Sequence, residues 1–168
     1  MKRQYRYMAA LGLACLTWGS VQAAEATYTS ATLTTETALA AAQAALASCR
    51  EGGYQVAVSV TDRSGVPIVV LRDRYAGPHT PDTATRKAYT SASFRMSSAD
   101  LAEATQAGKA TSGIRHLDQI LALGGGLPIE TAGSMVGAIG ISGAPGGDAD
   151  EACARAGIEA IQADLDFQ

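Results

Sequence analysis

Residues 54–71 read YQVAVSVTDRSGVPIVVL, and this stretch contains the pattern that decides the fold. Valine occupies alternate positions from Val56 to Val60, which is the period of a strand with one buried face. The polar tetrapeptide DRSG follows and ends on glycine, as a turn does, and a second apolar run comes after it. The stretch therefore predicts an antiparallel hairpin, and Pro67 places its second strand at an edge or an end of the sheet.

Further elements lie on both sides of this hairpin. Apolar residues at helical spacing before it, with a Gly-Gly stop at 52–53, indicate a helix. The order of helix, hairpin, helices, strands and helix predicts an α+β fold with an antiparallel sheet covered by helices. The predicted elements are a helix from Thr34 or Thr35 to Arg50, a helix from Thr80 or Asp82 to Arg95, a short helix over 100–106, a strand over 134–142 and a last helix capped by Asp148 or Asp150.

The composition excludes several classes of protein. The chain has 168 residues, of which 47% are hydrophobic and 17% charged, and this fits one globular domain. Only 5% are aromatic, too few for a stacking surface that binds single-stranded nucleic acid. The formal charge of −3 disfavours any partner with a phosphate backbone.

The first 23 residues have the three parts of a secretory signal peptide. Three basic residues precede an uncharged, mostly apolar run over 8–19, and small residues follow at 21–23. The run is too short to span a bilayer, so the alternative is a retained N-terminal anchor. Cleavage after Ala23 leaves residues 24–168 as a single domain. Its 10 basic and 16 acidic residues give −6, which predicts an acidic periplasmic or secreted protein.

Two cysteines remain after this cleavage, namely Cys49 and Cys153. They form either a disulfide, which an oxidising compartment permits, or two buried small hydrophobic residues. Cys49 ends the first predicted helix and Cys153 begins the last. Antiparallel packing of those helices would bring the two together, so we favour the disulfide.

The motifs of several common sites are missing or incomplete. The glycines of 137–143 do not have the spacing of a dinucleotide-binding loop, and they lie within a strand, so we expect no nucleotide cofactor and interpret them as positions of close packing. Ser142 lacks the second glycine of a nucleophile elbow, because Ala144 stands in its place. The two histidines, His79 and His116, do not form a zinc motif.

The loop after the hairpin and the helix that follows it carry the candidate ligand-binding residues. Cations and phenols suit an anionic, partly planar ligand, and the histidine could ligate iron or donate a proton. The alternative is a solvated loop that leads into an amphipathic helix, although Pro78 and Pro81 stiffen the segment. The candidates are Arg72, Asp73, Tyr75, His79, Arg86 and Lys87.

Three parts of the chain resemble the GlcG/HbpS-like haem-binding family, also known as haem-degrading or DUF336, to which the PduO C-terminal domain is related. The first is residues 56–65, a strand that ends in an Asp-x-x-Gly turn, and the second is 86–94, RKAYTSASF. The third joins GGGLPI at 124–129, GAIGISG at 137–143 and DEACARAG at 150–157, and it is the most specific. The resemblance covers essentially the whole mature chain.

This resemblance implies a fold and a range of functions. The implied fold is a profilin- or Roadblock-like three-layer sandwich, in which helices flank a central antiparallel sheet of about five strands. Members form dimers and larger symmetric assemblies, up to octamers, and some bind haem, for which degradation has been proposed. Fold analogy does not assign a function, and many relatives lack a histidine at the place of His79.

Three functions remain open at this point. The first is an exported haem- or tetrapyrrole-binding protein in which Arg72, Arg86 or Lys87 pairs with the propionates and His79 approaches the iron. The second is an enzyme or sensor for a small organic acid, with His79 or Asp73 handling a proton. The third is an accessory assembly protein without catalysis, and nothing in the sequence decides whether the protein is an enzyme.

Overall fold

The computed structural model describes residues 25–167, so the predicted signal peptide at 1–23 lies outside the described residues. The residues from 31 onward form one compact unit. Those before it fall in a separate unit, and the described part of that unit, 25–30, contains no helix or strand. No helix in the described part of the chain is long and apolar enough to cross a membrane.

The described residues form an α+β fold, as predicted. The elements are α1 (Thr35–Glu51), β1 (Ala57–Asp62), β2 (Pro67–Arg72), α2 (Thr80–Phe94), α3 (Ser98–Ala104), β3 (Gly126–Thr131), β4 (Ser134–Ser142) and α4 (Gly147–Asp166). The sheet has four antiparallel strands in the order β2-β1-β4-β3, where the resemblance implied about five. A short 3₁₀ helix spans Ser112–His116 between α3 and β3.

The predicted hairpin is confirmed, and its second strand, β2, is an edge strand. The turn is closed by Asp62, whose Oδ1 accepts the amides of Ser64 at 2.7 Å and Val66 at 2.9 Å. Gly65 has φ +83°, the left-handed backbone that glycine adopts without strain. The DRSG turn therefore ends on glycine because its backbone requires one.

Helices cover both faces of the sheet. Val58 of β1 and Val56 just before the strand lie in a core shared with α1 and α4, as does Ile139 of β4. The opposite face meets α2, where the Thr85 hydroxyl donates to Ser59 Oγ at 3.2 Å. The result is a three-layer sandwich with α2 on one side and the α1–α4 pair on the other.

Glycines on the sheet let α2 lie directly on the strand backbone. A Cβ at Gly140 would stand 2.1 Å from the carbonyl oxygen of Ala84, and one at Gly126 would stand 2.3 Å from that of Lys87. No side chain fits at such distances, so any larger residue there would push the helix away. The prediction that the glycines of 137–143 serve close packing is confirmed.

Helices α1 and α4 pack antiparallel through small residues. A Cβ at Gly157 of α4 would lie 2.7 Å from the Ala41 carbonyl oxygen and 2.9 Å from the Ala45 Cβ. Cys49, one helical turn beyond Ala45, is bonded to Cys153, one turn before Gly157, with a Cα–Cα distance of 5.4 Å. The disulfide that the sequence favoured is thus present and joins the two helices.

The start of α4 differs from the prediction. The sequence predicts Asp148 or Asp150 as the cap of this helix, but the N-cap is Gly146, and no described side chain accepts a hydrogen bond there. Asp150 is 3% exposed and points instead to Lys87 of α2, whose Nζ lies 2.7 Å from its Oδ2. Its position in the first turn is typical of a cap, but in the structure Asp150 forms an ion pair with the buried Lys87.

Removal of the disulfide is expected to destabilise the protein. The bond closes a sequence separation of 104 residues, and a loop of that length contributes about 4 kcal/mol in the chain-entropy account. The variant carrying Cys49→Ala and Cys153→Ala should lose about that much free energy of unfolding in a urea titration. A reductant should lower the unfolding midpoint of the parent only, and an unchanged parent midpoint would contradict the expectation.

Removing only one partner of the buried ion pair should lower the free energy of unfolding more than removing both. Lys87→Met leaves the Asp150 carboxylate buried without its cation, which is expected to lower the free energy of unfolding by about 3–5 kcal/mol. The double variant Lys87→Met, Asp150→Leu removes both charges and should recover most of that loss. Urea titration of the two single variants and the double variant measures the coupling, and additive losses would argue against it.

Candidate functional site

A cleft of about 340 Å³ opens where α2 and α4 begin. His79 and Thr80, at the start of α2, form one side, and Gly146 at the start of α4 forms the other. Lys87 and Ser142 also line the cleft. Three separate parts of the chain therefore converge here: the start and middle of α2, Leu123, and the stretch that runs from the end of β4 into α4.

His79 stands at the N-cap position of α2, between Pro78 and Thr80. Its ring lies against Gly77, where a Cβ would come within 2.7 Å of the imidazole Cε1. The side chain is exposed, and its imidazole has no hydrogen-bond or ion-pair partner in the described part of the chain. A stiff turn thus presents a free imidazole at the edge of the cleft.

Lys87 and Asp150 are both buried, and both line the same cleft. The Lys87 ammonium donates to Asp150 Oδ2 at 2.7 Å and to the Ile141 carbonyl oxygen at 2.9 Å. Burial raises the pKa of Asp150, and the hydrogen bond from Lys87 lowers it in part. The amide of Ala144 also donates to Oδ1 at 3.1 Å, so the pair fixes the backbone of the turn that enters α4.

Ser142 is the last residue of β4 and is only 5% exposed. Its hydroxyl makes no hydrogen bond to any described residue, and the side chain lines the cleft. A hydroxyl that is nearly buried normally finds a partner. This one therefore remains available to a molecule in the cleft.

The two helices that start at this cleft are also the long helices without a side-chain cap. Thr34 caps α1 and Ser97 caps α3, each accepting an amide of the first turn. Neither His79 of α2 nor Gly146 of α4 makes such a bond. At the start of α2, however, the Thr80 amide donates to the Gly77 carbonyl oxygen at 3.0 Å, and Pro81 has no amide hydrogen. The free amides at the cleft are therefore mainly those of α4, and they make it favourable to anions.

Two predicted cations are occupied by backbone oxygens. Arg72 donates through Nε to the Ala76 carbonyl oxygen at 3.0 Å, within the loop that follows its own strand. Arg86 donates to the carbonyl oxygens of Gln119 at 3.4 Å and Ile120 at 3.2 Å. Neither lines the cleft, and each braces a loop close to it.

Asp73 and Tyr75 also lie apart from the cleft. Asp73 is 4% exposed and accepts the Arg50 guanidinium from α1 through Oδ1, while its Oδ2 is buried without a partner. Tyr75 is 78% exposed and contacts Arg74, whose guanidinium lies 5.9 Å from the ring centroid. Of the six predicted ligand-binding residues, the structure brings only His79 and Lys87 to the cleft.

A larger cleft of about 520 Å³ lies elsewhere, between α3, β3 and α4. Glu151 and Arg155 form an ion pair of 3.3 Å there, and one Glu151 oxygen is buried without a partner. No histidine lines it, and its other charged residues, Asp100 and Glu159, are exposed. We place the candidate site in the smaller cleft, because the free imidazole, the free hydroxyl and the two uncapped helices meet there.

Residues 25–167 contain no group of three or more histidine, cysteine, aspartate or glutamate side chains close enough to bind a metal ion together. His79 by itself fits an iron that already carries other ligands, as haem iron does. A porphyrin is too wide to be enclosed by this cleft, which lies at the small end of ligand pockets, so only an edge of it would enter.

Three contributors to the cleft were missed from the sequence: Ser142, the uncapped start of α4 at Gly146, and Asp150 as a partner of Lys87. Ser142 was considered only as a nucleophile, and Asp150 only as a cap. A usable signal was present at 142–147, SGAPGG. A serine at a strand end, followed by a helix that begins on glycine, leaves both a hydroxyl and a helix end unpartnered.

Comparisons with known proteins agree on one family. The sequence model of the haem-degrading HbpS-like proteins matches residues 33–159. A curated protein of Citrobacter freundii, described as an uncharacterised 15.0 kDa protein in the dhaT-dhaS intergenic region, is 34% identical over 115 residues. That match covers 67% of this chain and 81% of the relative.

Solved structures give the same result. HbpS of Streptomyces reticuli, solved as a double mutant, is 37% identical with a TM-score of 0.76, over 84% of this chain and 95% of that one. A complex of PduOC with haem is 27% identical with a TM-score of 0.73, over 77% of this chain and 95% of that one. The family predicted from the three sequence motifs is confirmed: the chain belongs to the HbpS-like family of haem-degrading proteins.

Proposed function

We propose that this protein binds haem or a related tetrapyrrole at the cleft edged by His79. The observation that carries the proposal is the unpartnered imidazole, which a stiff turn holds at the mouth of the cleft. The haem complex of a relative with the same fold supports the choice of ligand. His79 would ligate the iron, and the uncapped helix ends would favour the acidic groups of the ligand.

The geometry implies partial enclosure of the porphyrin and modest affinity. Only an edge of the ring fits the cleft, and Leu123, which is 48% exposed, offers apolar contact at its rim. A second copy of the chain could cover the rest, and we infer that the protein forms homo-oligomers. The edge strand β2 supports this, because Val70 in the strand is 44% exposed and Val66, just before it, is 59% exposed.

Removal of His79 should weaken haem binding. His79→Ala removes the proposed iron ligand without disturbing a hydrogen bond, so the fold should persist while haemin affinity falls at least tenfold and the Soret maximum shifts. A haemin titration followed by absorbance measures both. His116→Ala is the matched control, because that histidine is exposed and lies away from the cleft. Equal spectra and affinities for His79→Ala and the parent would remove His79 from the site.

Haem degradation is part of the proposal as an activity of the loaded protein. The relevant measurement is whether the Soret band of the haem complex decays under air with an added reductant, compared with haemin and the reductant alone. Decay that depends on the protein would make it an enzyme, whereas equal decay would leave a binding protein.

We also propose that the protein is exported and acts in the periplasm or outside the cell. The disulfide between Cys49 and Cys153 supports an oxidising compartment. The exported chain should begin at Ala24, and its intact mass should show the loss of residues 1–23. Ala23→Arg should block cleavage, because signal peptidase needs a small residue there. An exported parent that retains residues 1–23 would contradict cleavage at this site.

A further inference from the structure

The start of α4 and the side chain of Ser142 form a place for a carboxylate within the cleft. Within residues 25–167 the amides of Gly147, Asp148 and Ala149 donate no hydrogen bond, because no side chain caps the helix. Ser142 is 5% exposed, and its hydroxyl also lacks a partner while lining the same cleft. We infer that these donors bind the carboxylate of an acidic ligand, a role that the loop cations do not fill.

The free hydroxyl is an observation independent of the helix end. The Ser142 oxygen is not among the fully buried unpartnered side-chain atoms of the described residues, so it is reached from the cleft. Its neighbour Ile141 has its carbonyl oxygen bound to the Lys87 ammonium at 2.9 Å. The hydroxyl is thus kept available at the end of the strand, beside the turn that leads to the uncapped helix.

The turn between them is held rigid, so the donors are arranged before a ligand arrives. Asp150 accepts the amide of Ala144 at 3.1 Å and the ammonium of Lys87 at 2.7 Å. Behind the turn, a Cβ at Gly147 would lie 2.8 Å from the Cα of Gly124, so the backbone of the helix start rests directly on the glycine run. Preorganised donors lose little entropy when they bind an anion.

The charges around the cleft favour a monoanion. The Lys87 charge is already matched by Asp150, and the exposed Asp148 adds a negative charge to the first turn. What remains is the partial positive charge of two helix ends. A monocarboxylate fits this field better than a dianion such as phosphate, and its two oxygens can use a helix amide and the Ser142 hydroxyl.

This inference deepens the proposed function and rests on it for the natural ligand, which would present the carboxylate as a propionate arm of haem. A free small acid carries the same group. Haemin and haemin dimethyl ester separate these sources, because the ester has no free carboxylate. If a propionate of haem binds at this carboxylate site, the ester should bind to the parent at least tenfold more weakly than haemin does.

The direct test uses sodium propionate as the probe, with ¹⁵N-labelled protein observed by NMR. Propionate should shift the amide signals of Gly147, Asp148 and Ala149 in a saturable way, whereas neutral propionamide should not. Inorganic phosphate should bind more weakly. Ser142→Ala removes one hydrogen bond to a charged group, so propionate should bind it about tenfold more weakly.

A second variant occupies the site from within the chain. A Cβ at Gly146 meets no atom within 4 Å, and its backbone is extended at φ −165°, so Gly146→Asp should be tolerated. The new carboxylate should cap α4, raise the melting temperature and abolish propionate binding. Gly113→Asp is the control, because it adds the same charge in open space away from the cleft and should keep the parent affinity.

The outcomes separate this inference from the proposed function. The carboxylate site is overturned if propionate causes no saturable shift of the amide signals in the parent. It is also overturned if Ser142→Ala and Gly146→Asp bind propionate with unchanged affinity. If the parent still binds haemin after either of these results, the haem function is supported without the carboxylate site. Propionate bound as described, with no haemin binding, supports the carboxylate site and overturns the haem function. Phosphate bound as tightly as propionate overturns the choice of a monoanion.

Discussion

The buried ion pair between Lys87 and Asp150 is the interaction on which the arrangement of the cleft depends. It joins α2 to α4 across the end of β4, and through the Ile141 carbonyl oxygen it is tied to the sheet itself. Among the described residues Asp150 has no other cation beside it, so its burial is tolerable only while Lys87 is in place. The pair thus holds the middle of α2 against the first turn of α4.

Such a pair needs very small neighbours, and this explains the glycine run at 124–126. A Cβ at Gly125 would stand 2.7 Å from the Asp150 Cβ and 2.8 Å from the Lys87 Nζ, and the residue has φ +116°. Gly126 meets the Lys87 carbonyl oxygen. The same absence of side chains that lets α2 rest on the sheet therefore makes room for two charged groups between the layers. The glycines of the family motif thus have a packing role at the site.

The sequence predicted what local patterns determine. The alternation from Val56, the DRSG turn and the Gly-Gly stop at 52–53 are signals within a few residues, and the elements they indicate are present. The disulfide followed from one further assumption, that the outer helices run antiparallel. The partner of Lys87 was out of reach, because 63 positions separate it from Asp150 and either residue alone is indistinguishable from a solvated charge. The proposed role of Ser142 depends on its hydroxyl having no hydrogen-bond partner among the described residues, and no local sequence pattern predicts that.

The positive character of the cleft has a different origin from the one that residue types suggested. The number of cations in the sequence pointed to Arg72 and Arg86. Both guanidinium groups, however, donate hydrogen bonds to backbone carbonyl oxygens and stabilise loops. What is left for a ligand is the backbone at the start of α4, where no described side chain accepts the amides of the first turn. Backbone donors cannot be diverted to a neighbouring carboxylate by a change of rotamer. The proposed ligand site of this acidic protein therefore needs no free cationic side chain.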